Sequence, residues 1–367
     1  MNILYISNHL NVGGITSYLL TLAAGMKSKG HKVFIASSGG ELLSEFRERG
    51  IVYFHIPILT KQEASPKILM SMFKLTELIK KNNIELVHTN SRTTQALGCL
   101  LEKYYGLTHV STCHGFFKRS LHRKIFSYWG QKVIAISEQV KEHLLKDFNV
   151  EESDIRVIHN GIDVEHFRSQ VSRDRLERKK ALGLAQAAVV GIVARLSIVK
   201  GHIYLIEAMK LVLEKFADAQ LLIVGEGKEK DNLTGLVNKL DISKNVSFLP
   251  EVKDTREVLM AMDVFVMPSL KEGLGLALME AMAAGLPVVG SNIGGIKTLI
   301  EDGVRGLLVE PGDFLGLSEA ILELLQDPAK KELFGKQAQE FIAKDFSQEK
   351  MVSETERMYL ECLGLNS

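Results

Sequence analysis

Cysteine is scarce: Cys99, Cys113 and Cys362 are the only three in 367 residues, and no two share a paired spacing. An odd, scattered set in a chain this long builds no disulfide framework and fits a reducing compartment. No stretch approaches the roughly 18 uninterrupted apolar residues of a membrane-spanning helix. Charge of one sign is missing too, with 45 Lys and Arg against 44 Asp and Glu and a net of +1. That balance removes the electrostatic case for a nucleic-acid partner. Metal and phosphate-loop signatures are absent: no Asp-x-Asp, His-x-x-x-His, Cys-x-x-Cys or Gly-x-x-x-x-Gly-Lys-Ser/Thr occurs. A metal-dependent or P-loop mechanism has no residues to rest on, and no cofactor is expected.

What is present describes a folded enzyme-sized chain. Hydrophobic residues make up 46% and charged residues 24%, ordinary values for a globular protein with a sizeable core. The length suggests two domains. Residues 1–168 hold 21 basic and 15 acidic side chains, a net of +6, and residues 169–367 hold 24 and 29, a net of −5. Opposite signs in the two halves point to separate domains with different partners. Asn2-Ile3-Leu4-Tyr5-Ile6 opens the chain with no basic segment before it and reads as a strand, not a signal peptide. A cytoplasmic protein, in contact with the inner membrane face at most peripherally, is the expectation.

Short apolar runs alternate with amphipathic helical stretches. In the first half the runs are 3–7, 32–37, 52–56, 85–89, 109–113, 132–136 and 156–159, with helical periodicity at 15–29, 66–81 and 138–147. In the second half they are 189–194, 221–224, 246–249, 264–267, 288–290 and 306–309. Uninterrupted β-branched runs separated by helices mark parallel strands buried on both faces. Their number exceeds one open sheet, so two doubly wound α/β domains are expected. The charged, strand-poor stretch 168–183 is the expected linker, giving domains 1–168 and 169–346. A last helix in 347–367 either caps the second domain or crosses back to the first. Ligands of such sheets bind at the carboxyl ends of strands near a topological switch point, so facing domains would share a central cleft.

Four strand ends carry chemistry. Gly13 and Gly14 follow the first strand and open the first helix, where backbone N–H groups attract anions; a plain tight turn is the alternative. Arg195 and Lys200 follow the first strand of the second half, where a diphosphate would take a forked guanidinium and a point-charge ammonium. The alternative is a solvated basic pair. Pro268-Ser269-Leu270-Lys271-Glu272-Gly273-Leu274-Gly275-Leu276 is a glycine-rich turn into a helix that contains Glu280. Helix-start amides suit phosphate, and a carboxylate suits paired sugar hydroxyls. Two glutamates eight apart can also be plain solvated helix face, but Glu280 sits among Leu278, Met279, Ala281 and Met282. His114 closes a strand and is suited to position a substrate or relay a proton near neutral pH.

In this order and spacing, the landmarks resemble the retaining glycosyltransferases of family 4. They are Gly13-Gly14, His114-Gly115, Asn160-Gly161-Ile162-Asp163, Arg195 with Lys200-Gly201, Gly225-Glu226-Gly227, and Glu272 with Glu280. The resemblance runs nearly the whole chain and implies the GT-B fold of two Rossmann-like domains, acceptor-binding first and nucleotide-sugar-binding second. It implies that Gly13 and Gly14 lie by the donor. Arg195 and Lys200 would bind the diphosphate and stabilise it as it leaves. Glu272 with the amides of Gly273, Leu274, Gly275 and Leu276 would hold the sugar and distal phosphate, Glu280 the ribose hydroxyls, and His114 would sit by the sugar and acceptor. His114, Glu272, Arg195 and Lys200 form the implied catalytic set.

Ala194 stands where relatives often have glycine, and His88-Thr89-Asn90 lacks a second histidine found in many of them, so no role is assigned there. The implied reaction is metal-independent transfer of a hexose from a UDP-linked donor to a surface-polysaccharide or lipid-linked acceptor. A GDP-mannose donor, or nucleotide-sugar epimerisation on the same fold, are the alternatives. Segment 116–129 interleaves Lys118, Arg119, Arg123 and Lys124 with aromatics, which suits an anionic membrane surface or lipid phosphate; an ordinary amphipathic helix is the competing reading.

Overall fold

The computed structural model describes residues 1–117, 128–168, 175–184 and 188–365. Lys118, Arg119, Arg123 and Lys124 of the basic–aromatic segment lie outside the described residues, so its membrane reading stays an expectation. Among the described residues, no helix is long and apolar enough to cross a membrane.

The first compact unit comprises Met1–Gly161 and Gln348–Ser367. Its strands are β1 (Asn2–Ile6), β2 (Lys32–Ser37), β3 (Val52–His55), β4 (Leu86–Thr89), β5 (Thr108–Cys113), β6 (Lys132–Ala135) and β7 (Ile155–Val157). They form one sheet in the order β3-β2-β1-β4-β5-β6-β7. Every recorded pairing in it is parallel. Side chains alternate across a strand. Ile3 and Tyr5 therefore enter a core with Leu19, Leu22 and Met26 of the helix Gly14–Ser28. Leu4 and Ile6 enter a second core with Leu75 and Leu78 of the helix Pro66–Asn82. Burial on both faces is the physical reason Ile3–Ile6 of β1 is apolar without interruption. Each such side chain contributes about 1.5–3 kcal/mol.

The second unit is Ile162–Ser347. Its strands are β8 (Val189–Val193), β9 (Gln220–Val224), β10 (Val246–Leu249), β11 (Val264–Met267), β12 (Val288–Ser291) and β13 (Leu307–Val309). The order β10-β9-β8-β11-β12-β13 repeats the logic of the first sheet. In each, the first strand of the unit lies beside the fourth, and connections leave it in opposite directions. That is the switch point where a crevice opens at the carboxyl edge.

The chain divides after Gly161, ahead of the 168/169 position expected from composition. The short helix Val164–Arg168 belongs to the second unit because Val164 and Phe167 are buried there and the helix packs on Leu276–Ala283. Ile162 and Ser347 form an isolated parallel bridge, and the Ile162 N–H donates to the Phe346 carbonyl at 2.8 Å. The last helix, Gln348–Cys362, lies on the first unit. Met351, Val352, Met358 and Tyr359 complete the core that holds Ile3 and Tyr5.

Candidate functional site

The carboxyl ends of β8 and β11, neighbours at the second switch point, bring together residues 72 positions apart. β8 runs into Ala194 and Arg195, then a single 3-10 turn, Ile198–Lys200, and Gly201 starts the helix His202–Lys215. Gly201 adopts φ 71°, and a Cβ there would lie 1.9 Å from the Pro268 carbonyl at the end of β11. Only glycine permits both the left-handed backbone and this approach. The consequence is that the Lys200 ammonium reaches Glu272 Oε2 at 2.5 Å, with 22% and 13% of the two side chains exposed. The Ser269 hydroxyl donates to the same carboxylate oxygen at 3.3 Å. The Gly295 N–H donates to the Glu272 carbonyl at 3.3 Å, which ties the turn to the loop after β12.

Arg195 is exposed, and its guanidinium makes no ion pair among the described residues. Its backbone is held on both sides. The Ala194 N–H donates to the Val224 carbonyl at 3.0 Å and the Leu196 N–H to the Glu226 carbonyl at 2.8 Å. The Gly225-Glu226-Gly227 loop thus acts as a rigid back for the Arg195 loop. Next to Lys200, burial and the Lys200 charge lower His202 to about 4, opposed by a backbone hydrogen bond at Ala194. A neutral ring therefore stands beside the ammonium at physiological pH.

After Glu272, Gly273, Leu274 and Gly275 are buried and Leu276 is half-buried. Gly275 caps the helix Leu276–Ala283 without a side-chain hydrogen bond. The Met279 N–H is the one that reaches back to the Gly275 carbonyl, at 3.0 Å. The N–H groups of Leu276, Ala277 and Leu278 thus have no carbonyl within the helix, and they carry the positive end of its dipole.

Glu280, about one turn into the helix, is half-buried. Burial lifts its carboxyl to about 7; a hydrogen bond with Thr255 opposes the shift and the Asp254 carboxylate adds to it. Burial works against ionisation of Asp254 too, but the Arg256 guanidinium holds it below its ordinary value. Arg256 Nε lies 3.0 Å from both Asp254 oxygens, and its Nη1 donates to the His166 carbonyl at 3.2 Å. Asp254, Thr255 and Arg256 belong to no motif. The one available signal was a polar run ahead of the apolar segment 258–262.

The remaining expected residues belong to the first unit. Gly13 caps the 15-residue helix Gly14–Ser28 with no side-chain hydrogen bond, and Gly13 and Gly14 are exposed. A Cβ on Gly13 would meet nothing within 4 Å, so its backbone faces open space beyond the end of β1. His114 follows β5, with Nε2 2.9 Å from Asn90 Oδ1 and its ring 4.8 Å from that of Tyr18. Burial lowers it to about 3. The expectation of a proton relay near neutral pH is therefore corrected: the ring is neutral there, suited to hydrogen bonding rather than to carrying a proton. His88, given no role from the sequence, bridges the Tyr359 hydroxyl and Thr112 Oγ1, the latter at 2.7 Å.

Two parallel Rossmann-type sheets, one in each unit, are the architecture of the GT-B glycosyltransferases. The chain belongs to that class: residues 12–166 match the family described as Glycosyltransferase Family 4, and residues 174–341 match Glycosyl transferases group 1. It is similar to the Escherichia coli UDP-Gal:alpha-D-GlcNAc-diphosphoundecaprenol alpha-1,3-galactosyltransferase, 30% identical over 87% of this chain and 86% of that one. It is also similar to the Bacillus anthracis N-acetyl-alpha-D-glucosaminyl L-malate synthase, at 29% identity over 96% and 95%. Among solved structures, Anabaena Alr3699/HepE in complex with UDP and glucose superposes with a TM-score of 0.87 at 21% identity, covering 98% of this chain and all of that one. The last is a likeness of fold.

Proposed function

We propose that this glycosyltransferase is a retaining, metal-independent hexosyltransferase that takes its sugar from a UDP-linked donor and delivers it to a lipid-linked or surface-polysaccharide acceptor. The observation that carries the reading is the grouping of exposed Arg195, the Lys200–Glu272 pair and the N-terminal amides of Leu276–Ala283 at the ends of β8 and β11. The names of the relatives support the choice of donor and acceptor class.

The chemistry follows from charge. Cleaving the glycosyl–phosphate bond sends its electron pair to the departing diphosphate oxygen. Arg195, Lys200 and the helix amides meet that developing charge with fixed positive groups and no reorganisation cost. Glu272 holds sugar hydroxyls, and by its ion pair holds Lys200 in place. Glu280 accepts from the ribose hydroxyls once ionised. The same reading assigns Gly13 and Gly14 to the donor and neutral His114 to a sugar hydroxyl. The acceptor oxygen enters on the face the diphosphate leaves, and its proton passes to the leaving phosphate oxygen, so the anomeric configuration is kept.

Thermal melts with UDP, GDP and ADP sugars test the donor, because a ligand that binds only the native state raises the midpoint with its affinity. A UDP sugar is expected to give the largest shift; a larger shift with GDP-mannose would replace the donor. Incubating donor without acceptor separates transfer from epimerisation, which would yield an isomerised nucleotide sugar. Transfer is expected to survive chelation by EDTA.

A further inference from the structure

We propose that Cys99, Glu102 and His109 form a three-ligand site for a zinc-class divalent cation in the first unit. Cys99 and Glu102 lie three residues apart on the helix Arg92–Tyr105, hence on one face of it, and His109 is the second residue of β5, the strand that follows. Cys99 Sγ is 3.7 Å from His109 Nδ1, and Glu102 Oε2 is 3.8 Å from the same nitrogen. One ligand atom from each residue lies within 4.8 Å of the others. Tetrahedral zinc with ordinary bond lengths would set the sulfur–nitrogen edge at about 3.6 Å and the nitrogen–oxygen edge at about 3.3 Å. Those two edges need a contraction of a few tenths of an ångström to reach them, and the third, sulfur to carboxylate, lies within 4.8 Å and must close as the ion binds.

Two further features point to a ligand rather than a chance meeting. The first is the orientation of the imidazole. His109 is fully buried, and its Nε2 lies 2.9 Å from Thr89 Oγ1, whose hydroxyl has the Val110 carbonyl as its own acceptor at 3.5 Å. With that hydroxyl proton turned to the carbonyl, the oxygen accepts from Nε2–H, and the Nδ1 lone pair faces the thiol and the carboxylate. An imidazole whose outer N–H is held by a hydrogen bond, leaving the other nitrogen's lone pair to bind the ion, is how metal-binding histidines are oriented.

The second feature is the room made for the ring. A Cβ on Gly98 would lie 2.3 Å from His109 Nε2, and one on Gly130 would lie 2.8 Å from its Cγ. Gly98 is inside a helix, where glycine is a cost to stability, so the histidine is accommodated against local preference.

The donor set selects the ion. A thiolate excludes magnesium and calcium as preferred guests, and sulfur, imidazole and carboxylate together suit zinc. Cys99 is half-buried and 32% of the Glu102 side chain is exposed, which leaves one side of the cluster open for entry and for a water as fourth ligand. Binding would release the thiol proton and pin the helix Arg92–Tyr105 to β5. No step of sugar transfer passes through these residues.

The test is a Co(II) titration of the tag-free, full-length protein under reducing, metal-free conditions. The expected result is one equivalent bound, with a thiolate-to-cobalt band in the near ultraviolet that Zn(II) displaces. Cys99→Ser is expected to abolish the band, and Glu102→Gln to weaken binding by at least about 10-fold. Zn(II) should raise the melting midpoint of the native chain but not of Cys99→Ser. Circular dichroism and the UDP-sugar shift of both variants should stay as in the native chain, which separates this site from the donor site. No thiolate band, or a band unchanged in Cys99→Ser, would overturn the proposal and leave a hydrogen-bonded cluster only.

Discussion

Lys200 and Glu272 meet at 2.5 Å because β8 and β11 are neighbours in the second sheet. The carboxylate fixes the ammonium where a diphosphate would need it, so the two side chains work as a unit. Lys200→Ala and Glu272→Ala are each expected to lower kcat/KM on the order of 100-fold. The double variant should lose far less than the product of the two, with a coupling of about 1–3 kcal/mol. Additive losses in that cycle would mean the ion pair does not organise the site.

Gly201 makes that meeting possible. Gly201→Ala must place a side chain in the left-handed region and against the Pro268 carbonyl, at 1.9 Å unless the backbone moves. The left-handed conformation alone costs about 1–2 kcal/mol, so a loss above about 2 kcal/mol is expected, together with a drop in donor affinity. Gly235 is the control. It lies inside the helix Lys230–Lys239, and a Cβ there meets nothing within 4 Å, so Gly235→Ala should stabilise by about 0.5–1 kcal/mol and leave transfer unchanged. Urea unfolding of the two variants checks both signs.

The strands were legible because short apolar runs mark them, unbroken where both faces are buried, as at 264–267. Residues 32–37, 246–249 and 264–267 were read with the boundaries the fold has. Helix Gln348–Cys362 was legible as a helix, but the unit it packs on was not, because an amphipathic face states that it needs a partner without saying which. Arg195, Lys200, Glu272 and Glu280 were legible as motifs at strand ends. Their local partners were not: Thr255 and Asp254 reach Glu280 from a loop with no motif, and the burial that shifts Glu280 and His114 arises only when distant segments pack.

His88 links the last helix to the first sheet. Its Nδ1 partners the Tyr359 hydroxyl and its Nε2 partners Thr112, all fully or almost fully buried. Tyr359→Phe keeps the ring packing but leaves a buried ring nitrogen without a partner, at a cost of about 1–3 kcal/mol. Hydrogen exchange should then quicken in 348–362 before the central strands, while a Tyr359→Phe protein as stable as the native one would show the bond to be worth nothing.

Glu280 ties stability to pH with an unusual sign. Burial lifts its carboxyl from the ordinary 4.5 to about 7, so the folded chain holds that proton more tightly than the unfolded chain does. The group costs nothing below about pH 4.5, begins to oppose folding as the pH rises, and opposes it fully above about 7. Glu280→Gln cannot ionise. It should match the native protein at pH 4.5 and exceed it at pH 8.5 on the order of 2 kcal/mol, seen as a melting midpoint several degrees higher. The same variant should lose donor binding, since an amide is a poorer acceptor for paired hydroxyls than a carboxylate. Stability gained at alkaline pH and affinity lost together would mark Glu280 as a residue kept for its ligand. A stability gap that does not change between the two pH values would refute the shifted carboxyl.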